Sequence, residues 1–233
     1  MTDTAPLAER LVNHMVANRP ALEQLMTQEG SRALHEEFLL AESGTLPDRQ
    51  SRLTRARVVG ARAWLRHLAA ALAAEWRVGP PDLQARLERW VATGAERLEA
   101  LELEEEAAVE REGISGDAQA DARRVTLGAY MRLFAEGIGE IAAPEGLSGP
   151  ELGRRVNEVL RRESSFRRRV EKESFEAWSG SPMEGLLEEA RTTAAPPEPN
   201  IIRMLEAAAV WSWIRVLADA LGEVLEPAQA AAE

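Results

Sequence analysis

The chain has 233 residues with a formal net charge of -11, 45% hydrophobic and 29% charged residues, and no cysteine. That length suits one large or two small domains of roughly 100 to 200 residues, and the composition lies well away from that of disordered chains. Lack of cysteine excludes disulfides, thiolate metal sites, iron-sulfur clusters and cysteine nucleophiles, while the acidic balance disfavours a dedicated binder of nucleic acid or anionic membranes.

Ala, Leu, Glu and Arg dominate, aromatics are 5%, and β-branched residues come singly, so helix propensity is high along the chain and no strand is expected. Residues 1–19 are acidic at the start and lack a continuous apolar core, which argues against a secretory signal and for the cytoplasm. Asn18 before Pro20, Gly30 before Ser31, and Gly44 before Pro47 divide the first 47 residues into three short helices, about 4–17, 20–28 and 31–42. A long helix follows from Pro47 to Val78, with Leu53, Ala56, Val59, Ala63, Leu68, Ala71 and Leu72 on one face, until Gly79-Pro80-Pro81 stops it.

The next helix is expected over 82–111, with Leu87, Val91, Gly94, Leu98, Leu101 and Ala108 forming a seam interrupted by Glu105. After the turn at 113–117, a helix over 118–142 carries Val125, Ala129, Leu133, Phe134, Ile138 and Ile141. Ser148-Gly149-Pro150-Glu151 has the form of a capping box and opens a helix predicted to reach Trp178. A similar signal at Ser181 opens a shorter helix to about Arg191. The last helix, about 200–226, is the most apolar stretch, but Arg203, Glu206, Arg215 and Asp219 interrupt it, so it reads as a core helix and not a membrane span.

These elements predict an all-α fold: a multi-helix, mostly antiparallel bundle of about five long helices with short N-terminal helices at one end. Residues 1–193 form the bundle, 194–199 a Pro-rich linker, 200–226 a helix docked back on the bundle, and 227–233 a frayed tail after Pro227.

Metal or haem chemistry would have to use His14, His35 and His67, which fall on three different predicted helices. The spacings needed for it are absent. Di-iron bundles use Glu-x-x-His pairs, whereas Arg32 and Trp64 stand three before His35 and His67, and a zinc-protease helix needs a second histidine where Leu39 stands. No cofactor is therefore expected. Arg62 and His67 have an Arg-x4-His spacing that resembles helical ribonucleases of the HEPN type in those two residues, with Ala63 where a polar residue is usual. Glu102 and Glu105 make one Glu-x-x-Glu pair of the magnesium-binding kind, but no Glu-x-x-Asp companion exists in the chain.

The charge pattern is the most distinctive feature. Arg154 and Arg155, Arg161 and Arg162, and Arg168 and Arg169 recur every seven residues, so on a helix they stack as one stripe that could grip phosphates or an acidic partner. The alternative is a solvated face, with Glu151 set to pair with Arg155 and Glu158 with Arg162. Glu99, Glu102, Glu104, Glu105, Glu106, Glu110 and Glu112 crowd the C-terminal end of their helix, where the macrodipole disfavours them. This acidic end and the arginine stripe are expected to be electrostatic partners within one chain or between two copies. Trp211 and Trp213 point about 200° apart on their helix, so one of them, Trp211 in this reading, is assigned to an interface.

The sequence thus points to a non-catalytic interaction, regulatory or accessory chaperone protein that binds another protein or a second copy of itself. The alternatives are a nucleic-acid-binding module using the arginine stripe and a histidine-based metal or haem protein.

Overall fold

The computed structural model describes residues 5–44, 49–112, 118–162 and 199–232, and among them it holds eight α-helices, one 3₁₀ turn and no strand. Helix α1 spans Leu7–Ala17 and buries Leu7, Leu11 and Met15, a spacing of four that lines one face. Helix α2 spans Arg19–Glu42 and α3 spans Arg49–Glu75. Helices α4, Leu83–Thr93, and α5, Ala95–Glu112, follow, and then α6 over Ala118–Ala142. A 3₁₀ turn at Pro144–Gly146 leads to α7, Gly149–Arg162, and α8 runs from Pro199 to Ala232.

Two breaks differ from the sequence expectation. No break occurs at Gly30, and α2 is continuous through it. A lone helical glycine costs about 1 kcal/mol, no proline follows here, and the adjacent Glu29 is anchored to α3 by Arg66 at 3.1 Å. The chain breaks instead at Gly94, between α4 and α5. A Cβ there would lie 2.9 Å from the Trp90 carbonyl oxygen and 3.1 Å from Leu133 Cδ1, so only glycine lets the chain bend this tightly against α6. The end of α8 also departs from expectation: the helix continues past Pro227, where a stop and frayed tail were expected. The proline removes one backbone donor near the terminus without ending the helix. The helix expected from 148 to 178 is seen through Arg162, and the expectations for 163–198, including most of the linker, lie outside the described residues.

Helices α3 and α6 occupy the middle. Helix α3 packs against α1, α2, α4, α6 and α8, and α6 against α3, α4, α5, α7 and α8. Leu65, Leu68 and Leu72 of α3 meet Tyr130, Phe134 and Ile138 of α6 and Ile214, Leu217 and Leu221 of α8 in one continuous core. The apolar positions of α8, Val210, Ile214, Leu217, Leu221 and Leu225, recur every three or four residues and are all buried.

The turn from α6 to α7 is built from special backbone and close contact. Ala143 (φ 40°) and Gly146 (φ 75°) take left-handed conformations that reverse the chain in a few residues. Ser148 donates its amide (3.0 Å) and hydroxyl (2.8 Å) to the Glu151 carboxylate, so the glutamate half of the expected capping box holds the start of α7 while the serine hydroxyl turns to the carboxylate. At Gly139 a Cβ would fall 2.7 Å from Gly149 Cα and 2.8 Å from the Ser148 oxygen, both backbone atoms that cannot step aside. Alanine has the better helix propensity by about 1 kcal/mol, yet the clash outweighs it. Gly139→Ala is expected to destabilise the fold by about 2 kcal/mol, read from the urea midpoint at constant slope; a variant as stable as the parent would disprove the contact.

Candidate functional site

Two carboxylates at the acidic end of α5, Glu104 and Glu105, are paired by arginines of α6 and of α5 itself. Arg132 of α6 reaches Glu105 at 3.2 Å and Glu104 at 2.6 Å, and Arg97, one turn into α5, approaches Glu104 at 3.7 Å. Arg97 also grips Glu136 of α6 in a two-pronged contact, with Nε to Oε2 at 2.7 Å and Nη2 to Oε1 at 2.6 Å. This hydrogen-bonded carboxylate raises the Arg97 guanidinium above its usual value, against the opposing effect of burial. Glu136–Arg97–Glu104–Arg132–Glu105 therefore forms a continuous ladder along the α5–α6 seam. Glu105 is buried on Arg132, whereas Glu106 is exposed and has no ion pair among the described residues; the side chains of Arg161, Arg162, Arg168 and Arg169, on which the expected partnership with the arginine stripe turns, lie outside them. Glu102 is partly buried, and its carboxyl is raised by that burial and then by Glu106 and Glu99.

The sequence candidates for acid-base or metal chemistry are dispersed. His67 is buried and donates from Nε2 to the Met15 carbonyl at 2.9 Å, so it caps the C-terminal end of α1. Burial lowers its pKa, partly offset by this hydrogen bond. His14 donates to Glu75 at 3.2 Å, joining α1 to the end of α3, and His35 is exposed on α2. Arg62 and His67, five residues apart, point about 140° from each other, and Arg62 donates to the Tyr130 hydroxyl at 3.3 Å instead. Burial pushes the Tyr130 phenol up, opposed by Arg62. Among the described residues no three histidine or carboxylate side chains are grouped to hold a metal ion.

On α7, Leu152, Val156 and Leu160 face the core while Arg154 and Arg155 are exposed. Arg154 pairs with Glu158, and Glu151 serves the cap where a pair with Arg155 was expected; the expected Glu158–Arg162 pair falls on a side chain outside the described residues. Arg161 and Arg162 belong to α7 with side chains outside the described set, as are Arg168 and Arg169. Trp211 is half-buried and stacks on Trp64 of α3, with ring centroids 4.6 Å apart and planes 29° apart, while Trp213 is buried. Both tryptophans therefore find neighbours within the chain.

The surface feature absent from the sequence candidates lies on α2. Leu34, Phe38 and Leu39 are 58%, 61% and 51% exposed, on the side opposite Leu22 and Glu29, which face the bundle. The run Phe38-Leu39-Leu40 carried the signal, because three consecutive helical residues span about 200° and cannot all face inward. Glu136 was also legible as a lone carboxylate in the apolar run Leu133 to Ile138.

No family model, curated protein or solved structure matches this chain. No described helix is long and apolar enough to cross a membrane.

Two measurements follow from this geometry. Removing the Arg97 cation leaves Glu136 buried without its counter-charge, so Arg97→Met should cost about 3 kcal/mol, and adding Glu136→Met should recover most of the loss. Independent, additive effects in urea unfolding would show that the pair is not coupled. For His67, a folded-state pKa below the usual value near 6.5 means that the unfolded chain binds the extra proton more readily, so stability is full above pH 6.5 and falls as pH drops below it. His67→Gln keeps an N–H donor but cannot titrate. Its stability should decline less between pH 7 and pH 5 than that of the parent, and parallel declines would refute the assignment.

Proposed function

We propose that this chain is a non-catalytic helical interaction protein, a regulator, adaptor or accessory chaperone that recognises another protein. The observation that carries this reading is the outer side of α2, where Leu34, Phe38 and Leu39 all stand in solvent. Scattered exposed apolar side chains are ordinary on protein surfaces, but three within six residues on one helix form a contiguous patch. His35 lies within this patch and Arg32 and Glu42 border it, giving the apolar centre and polar rim typical of recognition surfaces. Dispersal of His14, His35 and His67, and the binding of Glu105 to Arg132, support the non-catalytic part of the reading.

Within the same reading, Arg154 and Arg155 on α7, continued in sequence by Arg161, Arg162, Arg168 and Arg169, offer an electrostatic contact surface, with Glu102 and Glu106 on α5 as its acidic counterpart. Trp211 is not the apolar anchor in this reading, because it already stacks on Trp64.

A photo-crosslinking phenylalanine analogue at position 38, introduced in the cells that make the protein, tests the reading. Covalent protein adducts should form from position 38 and not from an analogue at exposed Ala92 on α4. Failure to form any protein adduct at position 38 would overturn the reading.

A further inference from the structure

Opposite charges stand unpaired around a groove lined by α2, α3, α5 and α6. Helix α2 packs on α3 and α1, and α5 packs on α6, with no extensive contact between α2 and α5 themselves among the described residues. The floor of the groove is the junction of α3 and α6, where the Tyr130 hydroxyl accepts from Arg62 Nε at 3.3 Å. Glu29 of α2 and Glu102 of α5 both push this phenol up, so both walls come close to it.

Arg62 is half-buried, and Tyr130 is its only acceptor among the described residues. Its Nη donors are therefore left for something else. Arg66, one turn further along α3, is fully occupied by contrast, with Glu29 at 3.1 Å and Glu88 at 3.3 Å. The next inner position of α2 beyond Glu29 is Ala33, whose methyl group cannot serve Arg62. The Tyr130 oxygen is engaged by Arg62, so its own proton remains a further donor on that side. On the α5 wall, Glu102 is half-buried and makes no ion pair among the described residues. Burial pushes its carboxyl up, followed by Glu106 and Glu99, and Arg62 does not act on it. Arg62 and Glu102 thus flank the same phenol without meeting, and a gap separates them.

We infer that this groove binds a small zwitterion, a molecule carrying a carboxylate and an ammonium group, with the carboxylate on the Arg62 Nη donors and the Tyr130 hydroxyl and the ammonium on Glu102. An anion alone would leave Glu102, flanked by Glu99 and Glu106, facing further negative charge, and a cation alone would leave Arg62 without a counter-charge. A molecule with both groups offsets both half-buried charges and adds no net charge. α-Amino acids and ω-amino acids share this chemistry and differ in how far apart their charges stand. The groove lies on the inner side of α2, and the inference goes beyond the interaction reading without depending on it.

Tyr130 is the only tyrosine of the chain, so an isotope label on tyrosine Cζ gives a single NMR signal at the site. The full chain is titrated with the common L-α-amino acids and with β-alanine, γ-aminobutyrate and ε-aminohexanoate, each to about 50 mM, with acetate and methylammonium as single-charge controls. The signal should shift saturably with at least one zwitterion, and each control should bind roughly tenfold more weakly or leave the signal unmoved. Whether α- or ω-amino acids bind best identifies the source. Arg62→Met and Glu102→Gln should each weaken the best zwitterion roughly tenfold, because each removes a charged hydrogen-bonding partner. Glu102 is only half-buried, so Glu102→Gln keeps the fold and decides the matter if Arg62→Met does not fold. A signal that no zwitterion shifts saturably, a control that binds as tightly as the best zwitterion, or an affinity unchanged in Glu102→Gln would overturn the inference.

Discussion

The bundle depends on close approach to α6, which three glycines permit on different sides of that helix. A Cβ at Gly128 would lie 3.0 Å from the Glu105 carboxylate of α5, one at Gly137 would lie 2.6 Å from the Trp90 indole of α4, and Gly139 abuts Gly149 of α7. The notch at Gly137 also has a polar consequence. With the indole seated there, Trp90 Nε1 donates to the Leu133 carbonyl of α6 at 2.8 Å, so a large apolar residue is buried with its donor satisfied. Helices α4, α5 and α7 thus take their positions from one helix, and α3 and α8 complete the core around its apolar side chains.

The same close approach explains how a very acidic α5 is tolerated. Its carboxylates crowd the end where the helix dipole is unfavourable, but Arg132 and Arg97 lie along the seam and connect Glu104, Glu105 and Glu136 into one network. Most exposed pairs contribute little, whereas Glu136 and Glu105 are buried and would be costly without their arginines. The network therefore fixes the register of α5 on α6 as much as it stabilises the fold. Glu99 and Glu106 remain on the outer face beside partly buried Glu102, whose pKa is raised by burial first and then by these two neighbours.

Helix α2 has a different standing. It is fastened to the rest of the molecule chiefly through α3, with Arg66 joining it to α4 as well. Its inner face carries Leu22 and the buried Glu29, and its outer face carries Leu34, Phe38 and Leu39. Among the described residues the apolar side chains on the outer side stay in solvent, and the proposed recognition role rests on that exposure.

Local chemistry determined much of this protein. The all-α class, the extent of α6 and the cap at Ser148 follow from helix propensity, apolar spacing and hydrogen bonds spanning a few residues. The same local rules placed a break at Gly30 and none at Gly94, because the difference between these glycines lies in what surrounds them. Gly30 has no atom within 4 Å of a would-be Cβ, whereas Gly94 is pressed against Leu133 of α6. Likewise, sequence showed that Glu105, Trp211 and the arginines were charged or aromatic and where they stood on their helices. Only tertiary packing decided that Glu105 would meet Arg132, that Trp211 would stack on Trp64, and that His67 would cap α1. Those outcomes depend on which helix lies alongside, and that choice is made by the summed burial of residues far apart in sequence, not by any local pattern.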